Sequence, residues 1–129
     1  MSKIRVLVVD DDNLMRQLLK AILNEEGYQV VGEARDGASA LPLVDKLRPE
    51  LVCLDVNMPG LSGVEVLKLI QERVPGTKVV MITGDSSMTT VREVVSYGAL
   101  GYIIKPFNQA RVASAIKAAL KGPSDSPFN

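Results

Sequence analysis

Short continuous apolar runs alternate along this chain with longer stretches in which apolar residues recur every three or four positions. Ile4 to Val9 (IRVLVV) is a β-branched run that stops at Asp10, Asp11 and Asp12. Bounded in this way, it reads as a strand buried on both faces. From Asn13 the period changes. Leu14, Leu18 and Ile22 recur at helical spacing, with Met15, Leu19 and Leu23 beside them, so a helix is expected to turn that stripe to the core. Asp12 is placed to cap this helix and Gly27 to stop it. Gln29 to Ala34 follows as a weaker strand suited to a sheet edge.

The same alternation continues to the end. Asp36 can cap a second helix that runs to about Leu47 with Pro42 inside it. An interior proline costs about 3 kcal/mol, so this helix is expected to bend or to begin late, near Pro42. Leu51 to Leu54 (LVCL) is the next buried run; Asp55 ends it abruptly and Pro59 and Gly60 break the backbone. Ser62 and Glu65 form an S-x-x-E capping box for a third helix carrying Val64, Leu67 and Ile70, which Pro75 and Gly76 stop. Val79 to Ile82 is a further strand with Thr83 at its end. Ser86 or Ser87 caps a fourth helix through Val91, Val94 and Val95, stopped by Gly98. Tyr102 to Ile104 is a last short strand, followed by Lys105 and Pro106. Asn108 caps a fifth helix with Val112, Ile116 and Leu120 inward, and Gly122 closes it.

Five strand–helix units define an α/β chain: a parallel sheet with helices on both faces. Right-handed crossovers place every strand's carboxyl end on one rim, where ligand sites of open α/β sheets gather. The expected domain spans residues 1–121. The remainder, 122–129, is polar and proline-containing and reads as a disordered tail or a truncated linker.

Composition narrows the function. With 129 residues, 47% of them apolar, the chain suits one compact domain. Fifteen basic and fifteen acidic residues cancel, which gives no general electrostatic reason to hold nucleic acid or an anionic membrane. The single cysteine, Cys53, lies in an apolar run; it reads as a core residue in a reducing compartment. No apolar run reaches the length of a membrane span and the N-terminus lacks a secretory pattern, so a cytoplasmic location is expected. The chain has no histidine, which excludes imidazole metal ligands, Ser-His triads and a phosphohistidine of its own.

The rim collects Asp10, Asp11, Asp55, Thr83 and Lys105, each directly after an apolar run. Taken singly, each has an ordinary reading: a solvated turn, a helix approach, a surface lysine. Together they form a chemical set. Three crowded carboxylates repel one another and call for a cation, and oxygen ligands of this kind suit Mg²⁺. With that charge neutralised, one carboxylate can act as a nucleophile. Lys105 supplies a point charge and Thr83 a hydroxyl donor to a bound oxyanion. The set points to phosphoryl transfer onto an aspartate.

The blocks VVDDD, LDVNMPG, MITG and GYIIKPF, in this order and spacing, resemble the signature of response-regulator receiver domains, and the chemotaxis-type single-domain members match best in length. The resemblance runs from about Lys3 to Lys121. It implies a flavodoxin-like, doubly wound, five-stranded sheet in the order 2-1-3-4-5. It also implies Asp55 as phosphoacceptor, with Asp10 and Asp11 forming the acidic pocket. Asp11, Asp55 and the backbone carbonyl of Asn57 would be direct Mg²⁺ ligands. Thr83 and Lys105 match the family's hydroxyl and lysine, and Tyr102 the aromatic that rotates inward on activation. Asn57 and Asp85 flank the path of an attacking water in the family, and the bond before Pro106 is cis there. The implied partners are a sensor histidine kinase or phosphotransfer protein as donor. A downstream target or self-dimer would then engage the fourth helix, last strand and fifth helix, either for a freestanding domain or for one excised from a larger DNA-binding or enzymatic regulator.

Two rivals share parts of this pattern. A flavodoxin-like FMN binder needs a Ser/Thr/Gly-rich phosphate loop where this chain has three aspartates. A haloacid-dehalogenase-type aspartyl phosphatase needs a second aspartate where this chain has Asn57.

Overall fold

The computed structural model describes residues 2–122; the tail expected from 122 onward therefore lies, from 123, outside the described residues. Five strands, β1 (Arg5–Val9), β2 (Gln29–Ala34), β3 (Leu51–Leu54), β4 (Lys78–Thr83) and β5 (Gly101–Ile104), alternate with five helices. These are α1 (Asn13–Glu25), α2 (Gly37–Leu47), α3 (Gly63–Arg73), α4 (Met88–Ser96) and α5 (Gln109–Leu120). All strand pairs are parallel and the sheet order is β2-β1-β3-β4-β5, as the alternation and the resemblance imply. β2 and β5 are the edges. The register of β2 against β1 slips at Val31, which has no partner between Val6↔Val30 and Leu7↔Gly32.

The central strands are apolar on both faces because both faces are covered. Leu7, Val9, Val52, Leu54, Val79 and Met81 point into one core with Leu41 and Val44 of α2, Leu67 and Ile70 of α3 and Val94 of α4. Val6, Val8, Leu51, Cys53, Val80 and Ile82 point into the other, against Leu19, Ile22 and Leu23 of α1 and Val112 and Ile116 of α5. Cys53 is thus a core residue, its thiol pushed up to about 12 by burial.

The helix starts follow the sequence. Asp12, Asp36, Ser62, Ser87 and Asn108 all accept N–H groups of the first turns, and Ser62 with Glu65 completes the capping box. Two expectations are corrected. The second helix does not begin near Pro42; it begins at Gly37, capped by Asp36, and runs on through the proline. The carbonyl that Pro42 leaves without a partner belongs to Ala38, and both residues are exposed, so water can satisfy it. The stripe of α1 is also narrower than its periodicity suggests: Leu14 is 68% exposed and Leu18 43%. At about 100° per residue, Leu14 lies about 140° around the helix from Leu19, off the docked face. In α5, Ala119 is the buried residue of the last turn, while Leu120 is only partly covered.

One glycine is required by packing. A Cβ at Gly63 would run into the backbone carbonyl of Asp55 and lie 2.7 Å from the Cα of Val56, while the Gly63 N–H donates to the Val56 carbonyl at 2.7 Å. The first residue of α3 therefore rests directly on the backbone at the end of β3.

Burial sets an expected contrast between two leucines. Leu67→Ala should destabilise the fold by about 2–5 kcal/mol, because Leu67 is wholly buried. Leu14→Ala should change stability by less than about 0.5 kcal/mol. Urea unfolding of the two variants measures both, and equal losses would contradict the placement of α1.

Candidate functional site

The strand order reverses at β1. The chain passes from β1 to β2 on one side, then returns to place β3 on the other. Loops leaving the carboxyl ends of β1 and β3 diverge there and open a crevice, the usual ligand position in such sheets. Asp10 follows β1 and Asp55 follows β3, and the Asp55 N–H donates to the Val9 carbonyl at 3.0 Å, which fixes the two ends side by side.

Asp10, Asp11 and Asp55 converge on this crevice. Each can offer a carboxylate oxygen such that these atoms all lie within 4.8 Å of one another. Asp10 and Asp55 are buried, 4% and 5% exposed, and Asp11 is open to solvent. Hard oxygen donors at this spacing, with one side open to water, fit a divalent cation that keeps part of its hydration shell, as Mg²⁺ does. The backbone orients the group. The Asp12 N–H donates to Asp10 Oδ1 at 2.9 Å and the Asn57 N–H to Asp55 Oδ1 at 3.3 Å. Asn57 itself is exposed beside Asp55.

Lys105 reaches in from the end of β5, after a Lys105–Pro106 bond that is cis. Its ammonium lies 2.5 Å from Asp10 Oδ2 and 3.3 Å from Asp55 Oδ2. That Lys105 stands among the rim carboxylates agrees with the sequence reading. The shorter contact, to Asp10, was not legible there, since both aspartates are acidic strand-end residues with nothing to rank them. Burial raises the Asp55 carboxyl above the ordinary range. The charge of Lys105 opposes this, that of Asp10 adds to it, and the Thr83 hydroxyl and Asn57 N–H pull it back. Burial draws Lys105 down, but its hydrogen bond to Asp10 and the charges of Asp55 and Asp10 outweigh it, so the ammonium is held above its usual value.

Thr83 is fully buried at the last position of β4, inside the strand rather than after it. Its Oγ1 accepts the Asp85 N–H at 3.3 Å. Asp85 then ties the β4–α4 loop together. Its carboxylate accepts the Ser87 N–H and the Thr90 hydroxyl, each at 2.9 Å, and these bonds hold its carboxyl below the usual range. Its carbonyl accepts the Tyr102 hydroxyl. The Tyr102 ring is partly buried against the core on the α2–α4 face, and burial, with the charges of Asp85 and Asp55, pushes its hydroxyl up to about 12. Hydrogen bonds thus run from Thr83 through Asp85 to Tyr102, and the Thr83 hydroxyl also acts on the Asp55 carboxyl. The sequence reading named Thr83, Asp85 and Tyr102; the bonds that tie Asp85 to the N-cap Ser87 and to Thr90 show there only as the D-x-S spacing before α4.

A second contact escaped the sequence altogether. Arg16 of α1 donates to the Asp10 carbonyl at 2.8 Å, to Glu33 Oε1 of β2 at 2.9 Å and to Asn13 Oδ1 at 3.0 Å. No periodicity separates this arginine from a solvated one.

Known proteins share both the sequence and the fold. The chain is 36% identical to a chemotaxis protein CheY of Thermotoga maritima, over 91% of this chain and 98% of that protein. It is 40% identical to a protein-glutamate methylesterase/protein-glutamine glutaminase of Pyrococcus abyssi, over 97% of this chain but 36% of that one. A CheX–CheY–BeF₃–Mg²⁺ complex from Borrelia burgdorferi superposes with a TM-score of 0.84 at 28% identity, covering 91% of this chain and 87% of that one. A family model for the response regulator receiver domain matches residues 6–117, and with the switch-point aspartates and the 2-1-3-4-5 sheet in place the chain belongs to that family.

Proposed function

We propose that this receiver domain takes a phosphoryl group onto Asp55 from the phosphohistidine of a sensor histidine kinase or phosphotransfer protein. The observation that carries the reading is the convergence of Asp10, Asp11 and Asp55 with Lys105 at the switch point. An Asp55 carboxylate oxygen attacks phosphorus, the phosphorus–nitrogen bond breaks, and the donor's imidazole departs. Mg²⁺ held by Asp11, Asp55 and the Asn57 carbonyl, beside Asp10, would neutralise the carboxylates and the transferring oxygens. The protein's own groups do the rest. Lys105 shifts from the aspartates to a phosphoryl oxygen, and the Thr83 hydroxyl donates to another. The chain acts on itself and turns over no separate substrate, so it is a signalling domain rather than an enzyme.

The signal would leave along the chain that joins Thr83, Asp85 and Tyr102. An aspartyl phosphate adds charge and three acceptor oxygens. The Thr83 hydroxyl turns toward them, and the Tyr102 ring exchanges between two rotamers that are both populated without phosphate. This reshapes the surface of α4, β5 and α5, where a groove of about 500 Å³ is lined by Tyr102, Ile104, Arg111 and Ser114 among others. Ile104 in its lining and Met88 at the start of α4 are exposed. A downstream target or a second copy of the chain would dock there; neither nucleic acid nor membrane is needed. A cytoplasmic location is part of the same proposal; among the described residues no helix is long and apolar enough to cross a membrane. Both outputs occur among the relatives. The match covers almost all of the Thermotoga protein, which suits a freestanding domain, and about a third of the Pyrococcus protein, which suits a receiver joined to an effector.

Incubation with acetyl phosphate and Mg²⁺ should add one phosphoryl group by intact mass. Asp55→Asn and chelation should each abolish it; full-rate labelling of Asp55→Asn would place the acceptor elsewhere. The same variant should alter stability with pH. Because burial raises the Asp55 carboxyl, its contribution to stability is present below the unfolded value, near 3.8, and is lost as pH rises through the higher folded value. In metal-free buffer Asp55→Asn should therefore melt above the wild type at neutral pH, with the gap closing as pH falls below that range. With beryllofluoride and Mg²⁺, amide shifts should spread from Asp55 through Thr83 to Tyr102 and α4. Shifts confined to the aspartates would leave the phosphorylation standing and remove the output route.

A further inference from the structure

We infer that Arg16 is a positioning residue for the acidic pocket: its guanidinium fixes the backbone at Asp10 and so sets where the Asp10 and Asp11 carboxylates stand relative to Asp55. The inference rests on the proposed Mg²⁺-dependent function and adds a residue to it.

Three contacts leave the guanidinium in different directions. Nη1 donates to the Asp10 carbonyl at 2.8 Å, Nε to Glu33 Oε1 at 2.9 Å, and Nη2 to Asn13 Oδ1 at 3.0 Å. They join the end of β1, the edge strand β2 and the start of α1. The side chain is only 13% exposed, so these bonds compete little with water. Glu33 is held in turn by Lys20, and both cations keep its carboxyl below the ordinary range, so it stays charged opposite Arg16. On the far side, the Asp10 N–H donates to the Ala34 carbonyl at 3.0 Å. The peptide flanks of Asp10 are thus gripped on both sides by the β2 edge and by Arg16.

The Asp10 backbone needs such a grip. Its side chain carries Lys105 at 2.5 Å and accepts the Asp12 N–H at 2.9 Å. Asp11 is exposed and has no buried packing of its own. The peptide that joins Asp10 to Asp11 begins at the carbonyl that Arg16 holds, so the direction of the Asp11 carboxylate follows from that bond. A forked, planar donor can hold Glu33, Asn13 and the carbonyl at once; a lysine ammonium is a single point on a flexible stem.

Charge and positioning make opposite forecasts, which gives a clean test. Removing the cation that is bonded to the Asp10 carbonyl should not weaken binding of a divalent metal if Coulomb attraction alone mattered. Removing a group that orients the ligands weakens it, commonly about 10- to 100-fold for such outer partners. MgCl₂ is titrated calorimetrically into the full chain, as wild type, Arg16→Met and Arg16→Lys, at a temperature where circular dichroism shows every variant folded. The expected result is Mg²⁺ affinity at least about tenfold weaker in Arg16→Met, with Arg16→Lys also weakened although it keeps the charge. Unchanged or tighter binding in either variant overturns the inference, and a general packing role would lower the melting temperature without moving the Mg²⁺ affinity. Arg16→Lys keeps the test decisive if Arg16→Met does not fold. Failure of the wild type to bind Mg²⁺ would instead refute the underlying function, so the two failures are distinguishable.

Discussion

Three carboxylates share one small crevice with one ammonium, and most of what the structure does locally answers that imbalance. Lys105 cannot neutralise Asp10, Asp11 and Asp55 together; it stands closest to Asp10 and next to Asp55. Two of the three carboxylates, Asp10 and Asp55, are buried on adjacent strand ends and have little room to move apart. In the proposed function such a site attracts a cation and, through it, an anion that the bare carboxylates would repel. On that reading the repulsion is the basis of the chemistry, and the sheet serves to keep it from being relieved.

The fold achieves this by leaving no slack behind the rim. β1, β3 and β4 are covered on both faces, so the strand ends that lead into Asp10 and Asp55, and the position of Thr83, are set by packing along whole strands. The order reversal at β1 puts two of the acids on adjacent strands while their connections depart in opposite directions. Across the crevice, β4 and β5 contribute Thr83 and Lys105, and the loop after β4 returns through Asp85 to Tyr102.

Much of this was legible in the residues. Buried parallel strands are written as short apolar runs, and each run here ends where a polar residue meets the rim. Helix starts were equally plain, since Asp12, Asp36, Ser62, Ser87 and Asn108 all cap as their side-chain chemistry suggests. What was hidden depends on rotation and distance. The period of α1 could not say which half of a broad apolar stripe docks, so Leu14 and Leu18 were misplaced. Propensity overstated the disruption at Pro42, because an exposed carbonyl loses little when water replaces its N–H partner. The preference of Lys105 for Asp10 and the reach of Arg16 are facts of three-dimensional proximity between distant or chemically equivalent residues, and no spacing encodes them.

The contact of Gly63 with the Asp55 carbonyl has a mechanical side. Most tertiary contacts pass through side chains, whose torsions act as springs between one backbone and the next. Here backbone meets backbone, and that compliance is missing. The start of α3 and the end of β3 must travel together, as a single rigid joint. A displacement of the backbone at Asp55 is therefore passed to the first turn of α3 with no side chain between them to absorb it.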